Sequence, residues 1–340
     1  MKSEAIAAPP MRLGLPFDGS DPPETLRGIV AAADAASAAA PTNLWIASHL
    51  FHREPIACAA AALGMSRHVG VVLMAISPYA VHPVYATMAA ATLDELFPGR
   101  VQLCFGTGAP RDLEAAGIVA EQPVQTLRET LEISRELLAG NAVDYSGQRF
   151  RVSGRRLAMG ARAVPLWLAA SSPRMLELAG EKADGVVISA GTSPAFVRWA
   201  LDNVRRGEQR GGRAIEKAAL VFCSVDDDES TAHDRLRRRL GYVLRGQHHA
   251  RNLDLAGTTL DQAALARAFD REDWDEVAAL INDDVLRRHC ASGTPQQVRA
   301  ALSAYRVAGL DEIVAYGVQE REPLEKVLAI MKPQGGARAT

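Results

Sequence analysis

The chain has 340 residues, 48% of them hydrophobic and only 5% aromatic, with four cysteines and a formal net charge of −2. That length holds one large domain or two ordinary ones, and a composition poor in aromatics suits helices around a sheet rather than an all-β sandwich. The near-balance of charge argues against a surface built as a whole for nucleic acid or an anionic membrane, and Cys58, Cys104, Cys223 and Cys290 include no CxxC pair that would suggest a metal or redox centre. Residues 1–10, "MKSEAIAAPP", contain no apolar run of signal-peptide length. No later segment reaches the ~18 uninterrupted apolar residues of a membrane helix. The expectation is a cytoplasmic protein with a loose leader over 1–10 and a loose tail over 334–340.

In chain order, short apolar runs alternate with amphipathic or Ala-rich stretches of helix length. Strands are expected at 11–17, 43–48, 69–76, 100–106, 164–170, 185–189, 218–225 and 312–318. Eight strands separated by helices fit an α/β fold of the (β/α)8 TIM-barrel type, one domain over 11–333. A doubly wound sheet more often stops at about five to seven strands. "SSPRMLELAGEKADG" reads as a helix with Ser172 as cap, Pro173 in its first turn and Gly180 as its end. "TPQQVRAALSAYRVAGL" repeats the pattern with Thr294, Pro295 and Gly309. Two segments fall outside the alternation. Residues 141–154 read as an inserted hairpin, and 226–292 as a charged helical insertion between strand 7 and strand 8. Barrel insertions generally lengthen the loops at the C-terminal ends of the strands, where active sites sit.

The chain lacks a GxSxG elbow and an HExxH string. "FGTGAPRD" (105–112) has two glycines of a dinucleotide fingerprint but Arg111 in place of the third. Gly106 and Gly108, with Thr107 between them, read either as a tight turn or as small residues that let backbone approach a flat ligand. Strand 2 runs into "ASHLFHREP", which puts Ser48, His49 and His52 beyond its end. An imidazole there can hydrogen-bond a ring or transfer a proton near neutrality, and His49 is the candidate, while His52 reads as a loop histidine satisfied by a neighbour. After strands 5 and 6, "LAASSP" and "SAGTSP" offer small residues, hydroxyls and helix N-termini: Ala169, Ala170, Ser171 and Ser172 in the first, Ser189, Ala190 and Gly191 in the second. Together they suit a phosphate. The basic run 233–251 reads as one solvated face paired with the acids at 270–284, and His248-His249 makes a weak metal site because adjacent helical residues point apart.

Four motifs resemble the luciferase-like superfamily of flavin-dependent oxidoreductases. "ISPYAVHP" resembles a turn of the type NPYTRHP; "ATLDELFPGRVQLCFGTGAP" resembles TLDELSGGR; "PLWLAASSPRMLELAGEKADGVVIS" resembles AASGPKMLELAGEIADGV; and "GTPQQV" completes the set. The likeness is strongest to the deazaflavin (coenzyme F420) branch that includes methylenetetrahydromethanopterin reductase, and weakest in the insertion. The resemblance implies a cofactor across the C-terminal mouth, with its phosphate toward strands 5 and 6. It also implies a bulged non-prolyl cis peptide at the end of strand 3, carried onto Ala75–Ile76, with Ser77 as a further contact. His49 matches the histidine of the family's Asp-His pair.

This chain departs from the pattern at three positions. Ser48 stands where that branch commonly has Asp, Ala109 where its dehydrogenases tend to have a catalytic Glu, and Val81 where Arg is common. The missing acid argues against alcohol oxidation and for hydride delivery from reduced F420 to a C=C or C=N bond of a small molecule. The alternatives are an FMN-dependent monooxygenase on the same fold and a non-catalytic binding protein or subunit. An Ala-rich helix over 83–97 is compatible with a homodimer.

Overall fold

The structure, a computed structural model, describes residues 11–37, 42–318 and 320–331. The segments expected as leader and tail, 1–10 and 334–340, lie outside the described residues. Among the described residues there are eleven strands: β1 (Arg12–Phe17), β2 (Asn43–Ala47), β3 (Gly70–Ile76), β4 (Val101–Phe105), β5 (Val143–Ser146), β6 (Arg151–Arg155), β7 (Leu166–Ala170), β8 (Gly185–Ile188), β9 (Glu216–Val225), β10 (Cys290–Gly293) and β11 (Glu312–Tyr316). Eight of them run parallel in the order β1-β2-β3-β4-β7-β8-β9-β11, and the pairings of β11 with β1 and β8 with β9 close the ring. The eight expected strands are therefore the barrel strands. β5 and β6 form the expected antiparallel hairpin. β10 was not foreseen: β9 continues beyond its pairing with β8, and Cys290–Gly293 adds to that extension opposite Phe222–Val225.

Two tryptophans fill the barrel. Trp45 and Trp167 are fully buried and meet edge to face, with ring centroids 5.2 Å apart. Glycines on neighbouring strands make the room: a Cβ on Gly185 would stand 2.4 Å from the Trp167 ring, and one on Gly14 would stand 2.6 Å from Trp45 Nε1. The indole N–H of Trp45 donates to the buried Glu312 carboxylate at 2.7 Å, and Asn43 Nδ2 donates to the same group at 3.1 Å. Burial pushes the Glu312 carboxyl above its ordinary value, against the opposing pull of Trp45 and Arg12. Above the tryptophans the interior side chains shrink to Met74, Ala75, Ala169 and Leu220. The barrel is thus packed at one end and open at the other.

The main core lies between the strands and the surrounding helices. Helix Pro295–Ala308 starts on a reciprocal capping box between Thr294 and Gln297 and ends at Gly309 in the left-handed region, as its sequence requires. Gly180 behaves differently from expectation. Helix Pro173–Lys182 continues past it, and a Cβ at Gly180 would stand 2.1 Å from the Val204 carbonyl oxygen on helix Pro194–Gly211. A Cβ at Gly207 would stand 2.0 Å from the Glu177 carbonyl oxygen on the facing helix, so the two glycines let the helices touch backbone to backbone rather than ending either one.

The insertion follows β9 and forms a small helical layer with its own core, including Leu236, Leu240, Leu244, Leu265, Val277, Val285 and Leu286. It covers part of the C-terminal mouth. Helix Pro83–Leu96 leaves Tyr85 and Met88 exposed. Among the described residues no helix is long and apolar enough to cross a membrane.

Candidate active site

A cavity of about 840 Å³ lies between the open mouth of the barrel and the insertion. Its floor is made by strand ends: Phe17 and Asp18 at the end of β1, Ala47 and His49 at the end of β2, Met74 on β3, and Ser189 and Ala190 after β8. Its outer wall comes from the insertion, with Arg235, Arg238, Arg239, Tyr242 and Arg245 on helix Glu229–Leu244 and its cap, and Phe269 and Trp274 from later helices.

The irregular end of β3 has a definite register. β3 pairs with β4 as Leu73 opposite Leu103 and then Ile76 opposite Phe105, so one extra residue is accommodated between them. The non-prolyl cis peptide joins Met74 and Ala75, one residue before the expected Ala75–Ile76. The pairing explains the difference: Ile76 is already back in register and buried, so the irregularity closes before it. The Met74 carbonyl accepts from the Ser48 amide at 2.7 Å, which ties the ends of β2 and β3 together.

Gly106 belongs to the same surface, since a Cβ there would stand 2.8 Å from the Ala75 Cβ and 3.3 Å from the Ala169 Cβ. Ser77 Oγ donates to the Thr107 carbonyl at 2.9 Å, and Gly108 lies over Ser77 at a positive φ of 86°. The result is a patch of alanine and glycine with no side chain long enough to obstruct a flat group.

His49 and His52 separate as the sequence suggests. His52 Nδ1 lies 3.2 Å from Asp18, which also receives Arg239 at 3.1 Å. Burial works against the charge of Asp18, but hydrogen bonds from Ser20 and the Arg239 charge outweigh it and hold the carboxyl below its ordinary value. His49 faces the cavity, with Nδ1 3.4 Å from Asp112 Oδ2. Asp112 was not singled out in the sequence. It sits in the first turn of helix Pro110–Ala115, three residues beyond Ala109, and its place in "GAPRD" was the available sign.

The two small-residue loops differ in what they leave free. Ser171 and Ser172 are exposed, and Ser172 caps helix Pro173–Lys182 without a side-chain hydrogen bond. The other loop is held from within. Thr192 Oγ1 donates to the Ser189 carbonyl, the Ser193 amide donates to Asn252 Oδ1 at 2.9 Å, and the Gly191 carbonyl accepts from Asn252 Nδ2 at 2.8 Å with His289 Nδ1 at 3.1 Å. Of the residues expected to contact a cofactor, Ser189 and Ala190 line the large cavity together with His49. Thr107 and Gly108 border a second hollow of about 610 Å³, and Ala170 packs into the core.

The basic run requires correction. Arg237 does pair with Asp234 and Asp283, and Arg288 pairs with Asp284. Yet Arg235, Arg238, Arg239, Tyr242 and Arg245 share the opposite side of the helix from Leu236, Leu240 and Leu244, and they border the cavity while Arg235, Arg238, Arg239 and Tyr242 stay exposed to solvent. The apolar stripe at 236, 240 and 244 was the sign that sequence reading passed over. His248 and His249 also border the cavity; burial lowers both, His249 to about 3, and among the described residues no cluster could hold a metal ion.

Comparison with known proteins places this geometry. The family model described as luciferase-like monooxygenase matches residues 12–312. The chain belongs to that family, and is a luciferase-like oxidoreductase.

Among particular relatives, it is 31% identical over 248 residues to a 5,10-methylenetetrahydromethanopterin reductase from Archaeoglobus fulgidus, covering 70% of this chain and 74% of that one. It is 27% identical over 312 residues to the protein of the same name from Methanolobus tindarius, covering 90% and 94%. The coenzyme F420 dependent tetrahydromethanopterin reductase structure from Methanopyrus kandleri superimposes with a TM-score of 0.84 at 20% identity, over 95% of this chain and 98% of that one. That likeness concerns the fold.

Proposed function

We propose that this chain is a coenzyme F420-dependent reductase that delivers hydride to a C=C or C=N bond of a small molecule. The observation that carries the reading is the barrel mouth: an alanine and glycine patch of Ala75, Gly106 and Ala169 next to Met74, which lines the cavity together with Ala47 and His49. A flat tricyclic ring fits such a surface, because alanine and glycine put no long side chain in its way. The deazaflavin comes from the name of a further relative, an F420-dependent glucose-6-phosphate dehydrogenase from Nocardia farcinica that is 26% identical over 245 residues. When bound, that cofactor supplies the hydride.

In this reading the chain's own residues do the rest. The strand ends carrying Ser48, Met74, Ala75, Ile76 and Ser77 hold one face of the ring, mostly through backbone, since the Ile76 side chain is buried. Gly106, Thr107 and Gly108 flank it. The open helix N-terminus at Ser171 and Ser172 receives the phosphate, with Ala169, Ala170, Ser189, Ala190 and Gly191 shaping its path. His49, oriented by Asp112, exchanges a proton with the substrate. The insertion walls the cavity on one side and narrows the access of water to it.

Because the family is named for monooxygenases, reduced FMN with oxygen is the competing reading. Absorbance and fluorescence titrations of the purified protein with F420 and with FMN separate them. Saturable binding of F420, with FMN weaker, supports the proposal; binding of FMN alone overturns it.

A further inference from the structure

Four arginines reach the outer wall of the cavity, but they are not equivalent. Arg235 is paired with Asp226 at 2.6 Å, and Arg239 with Asp18 at 3.1 Å. Arg238 and Arg245 have no carboxylate within ion-pair distance among the described residues. Each instead sits over aromatic rings: Arg238 Cζ is 3.5 Å from the centroid of Trp274, and Arg245 Cζ is 4.1 Å from Tyr242 and 5.0 Å from Phe269. The rings brace one another, Phe269 meeting Trp274 at 5.7 Å and Tyr242 at 6.1 Å. Stacking fixes the plane of a guanidinium while leaving its N–H edge free, the arrangement that receives a carboxylate or phosphate.

The wall is also one-sided in charge. Asp18 and Asp226 already have their arginines, and His248 and His249 are biased by burial toward their neutral forms. We propose that Arg238 and Arg245 form a substrate anion subsite, so that the acceptor is a conjugated, planar molecule carrying a carboxylate or phosphate. The ring wall of Tyr242, Phe269 and Trp274 takes its flat body. The subsite rests on reading the cavity as the substrate site. In that reading the cofactor's own phosphate goes to Ser171 and Ser172, which leaves the arginine wall for the acceptor.

The test compares trans-cinnamate, phenyl phosphate and the uncharged cinnamamide, titrated into the cofactor-free protein by calorimetry. Cinnamate or phenyl phosphate should bind at least about tenfold more tightly than cinnamamide, the preference shrinking with added salt. Arg238→Gln and Arg245→Gln should each remove about tenfold from the anion's affinity and leave cinnamamide unchanged, with the melting temperature of each variant as the control for folding. Equal affinity for the amide, no saturable binding of either anion at millimolar concentration, or variants that bind anions as the parent does would overturn the subsite.

F420 affinity is measured on the same variants. It should be unchanged, and a tenfold loss confined to F420 would assign the arginines to the cofactor and overturn the proposal. If F420 fails to bind the parent while anion discrimination persists, the cofactor assignment falls and the subsite stands.

Discussion

His49 and Asp112 face one another across the barrel mouth, the imidazole Nδ1 3.4 Å from the carboxylate Oδ2. They come from different segments, His49 from the loop after β2 and Asp112 from the helix Pro110–Ala115 that follows β4. A carboxylate at Nδ1 favours the proton on that nitrogen and directs Nε2 outward as the exchanging atom, the arrangement by which a buried or half-buried acid orients a catalytic histidine. His49→Ala should lower kcat by about 10²-fold, the usual contribution of a positioned proton donor, with little change in melting temperature because His49 is partly exposed. Asp112→Asn should cost less, about tenfold, and alter the pH profile of kcat/KM. Unchanged kinetics in His49→Ala would remove it from the reaction.

A second prediction concerns the packed end of the barrel. Trp45 and Trp167 occupy space that Gly14 and Gly185 leave open, and a Cβ at Gly185 would fall 2.4 Å from the Trp167 ring. Neither strand can move without breaking a closed ring of pairings. Gly185→Ala should therefore destabilise the fold by about 1–3 kcal/mol, the range for overpacking a core, read as a lower urea midpoint with the slope unchanged. A variant as stable as the parent would show that the tryptophans can repack.

Helix contact gives a third. Gly180 and Gly207 bring two helices together at backbone distance, and a Cβ at Gly207 would lie 2.0 Å from the Glu177 carbonyl oxygen. Gain in helix propensity from Gly207→Ala is about 1 kcal/mol and cannot offset that overlap. The variant should melt at a lower temperature than the parent, whereas Gly212→Ala, where no atom lies within 4 Å of the added Cβ but φ is positive, should show only the smaller cost of backbone strain.

The barrel was legible because its signals are local. Eight apolar runs bounded by caps and turns mark its strands, and the Thr294 and Gly309 caps act as the sequence alone implies. Gly180 was misread because glycine ends helices and also lets helices touch, and only the partner helix, with Gly207, decides between the two. The site divides in the same way. His49 was visible from its place after a strand, but Asp112 had to be brought to it by the closure of β2 onto β3 and β4. Arg238 and Arg245 read as surface charge because Trp274, the partner of the first, Phe269, a partner of the second, and the cavity they border belong to the tertiary arrangement of the insertion.

The last prediction follows from the buried link between insertion and barrel. His289 is fully buried, with Nε2 2.9 Å from Thr258 Oγ1 and Nδ1 3.1 Å from the Gly191 carbonyl, just beyond the cavity residues Ser189 and Ala190. Burial lowers its pKa from an ordinary 6.5 to about 4, in spite of the Gly191 carbonyl, which favours a proton. Between those values the unfolded chain holds the proton that the folded protein excludes, so stability rises with pH across the window and is lost as pH falls from 6.5 toward 4. A shift of this size corresponds to on the order of 3 kcal/mol from His289 alone. Carboxylates contribute to acid unfolding as well, so the test is a difference between variants. His289→Gln can keep an amide donor toward Gly191 but has no charge to gain, and its stability should fall less steeply than the parent's between pH 6.5 and pH 4.5, whatever its stability at pH 7. Parallel curves for the two proteins would show that His289 takes up no proton on unfolding, and that the link between insertion and barrel is insensitive to acid at this position.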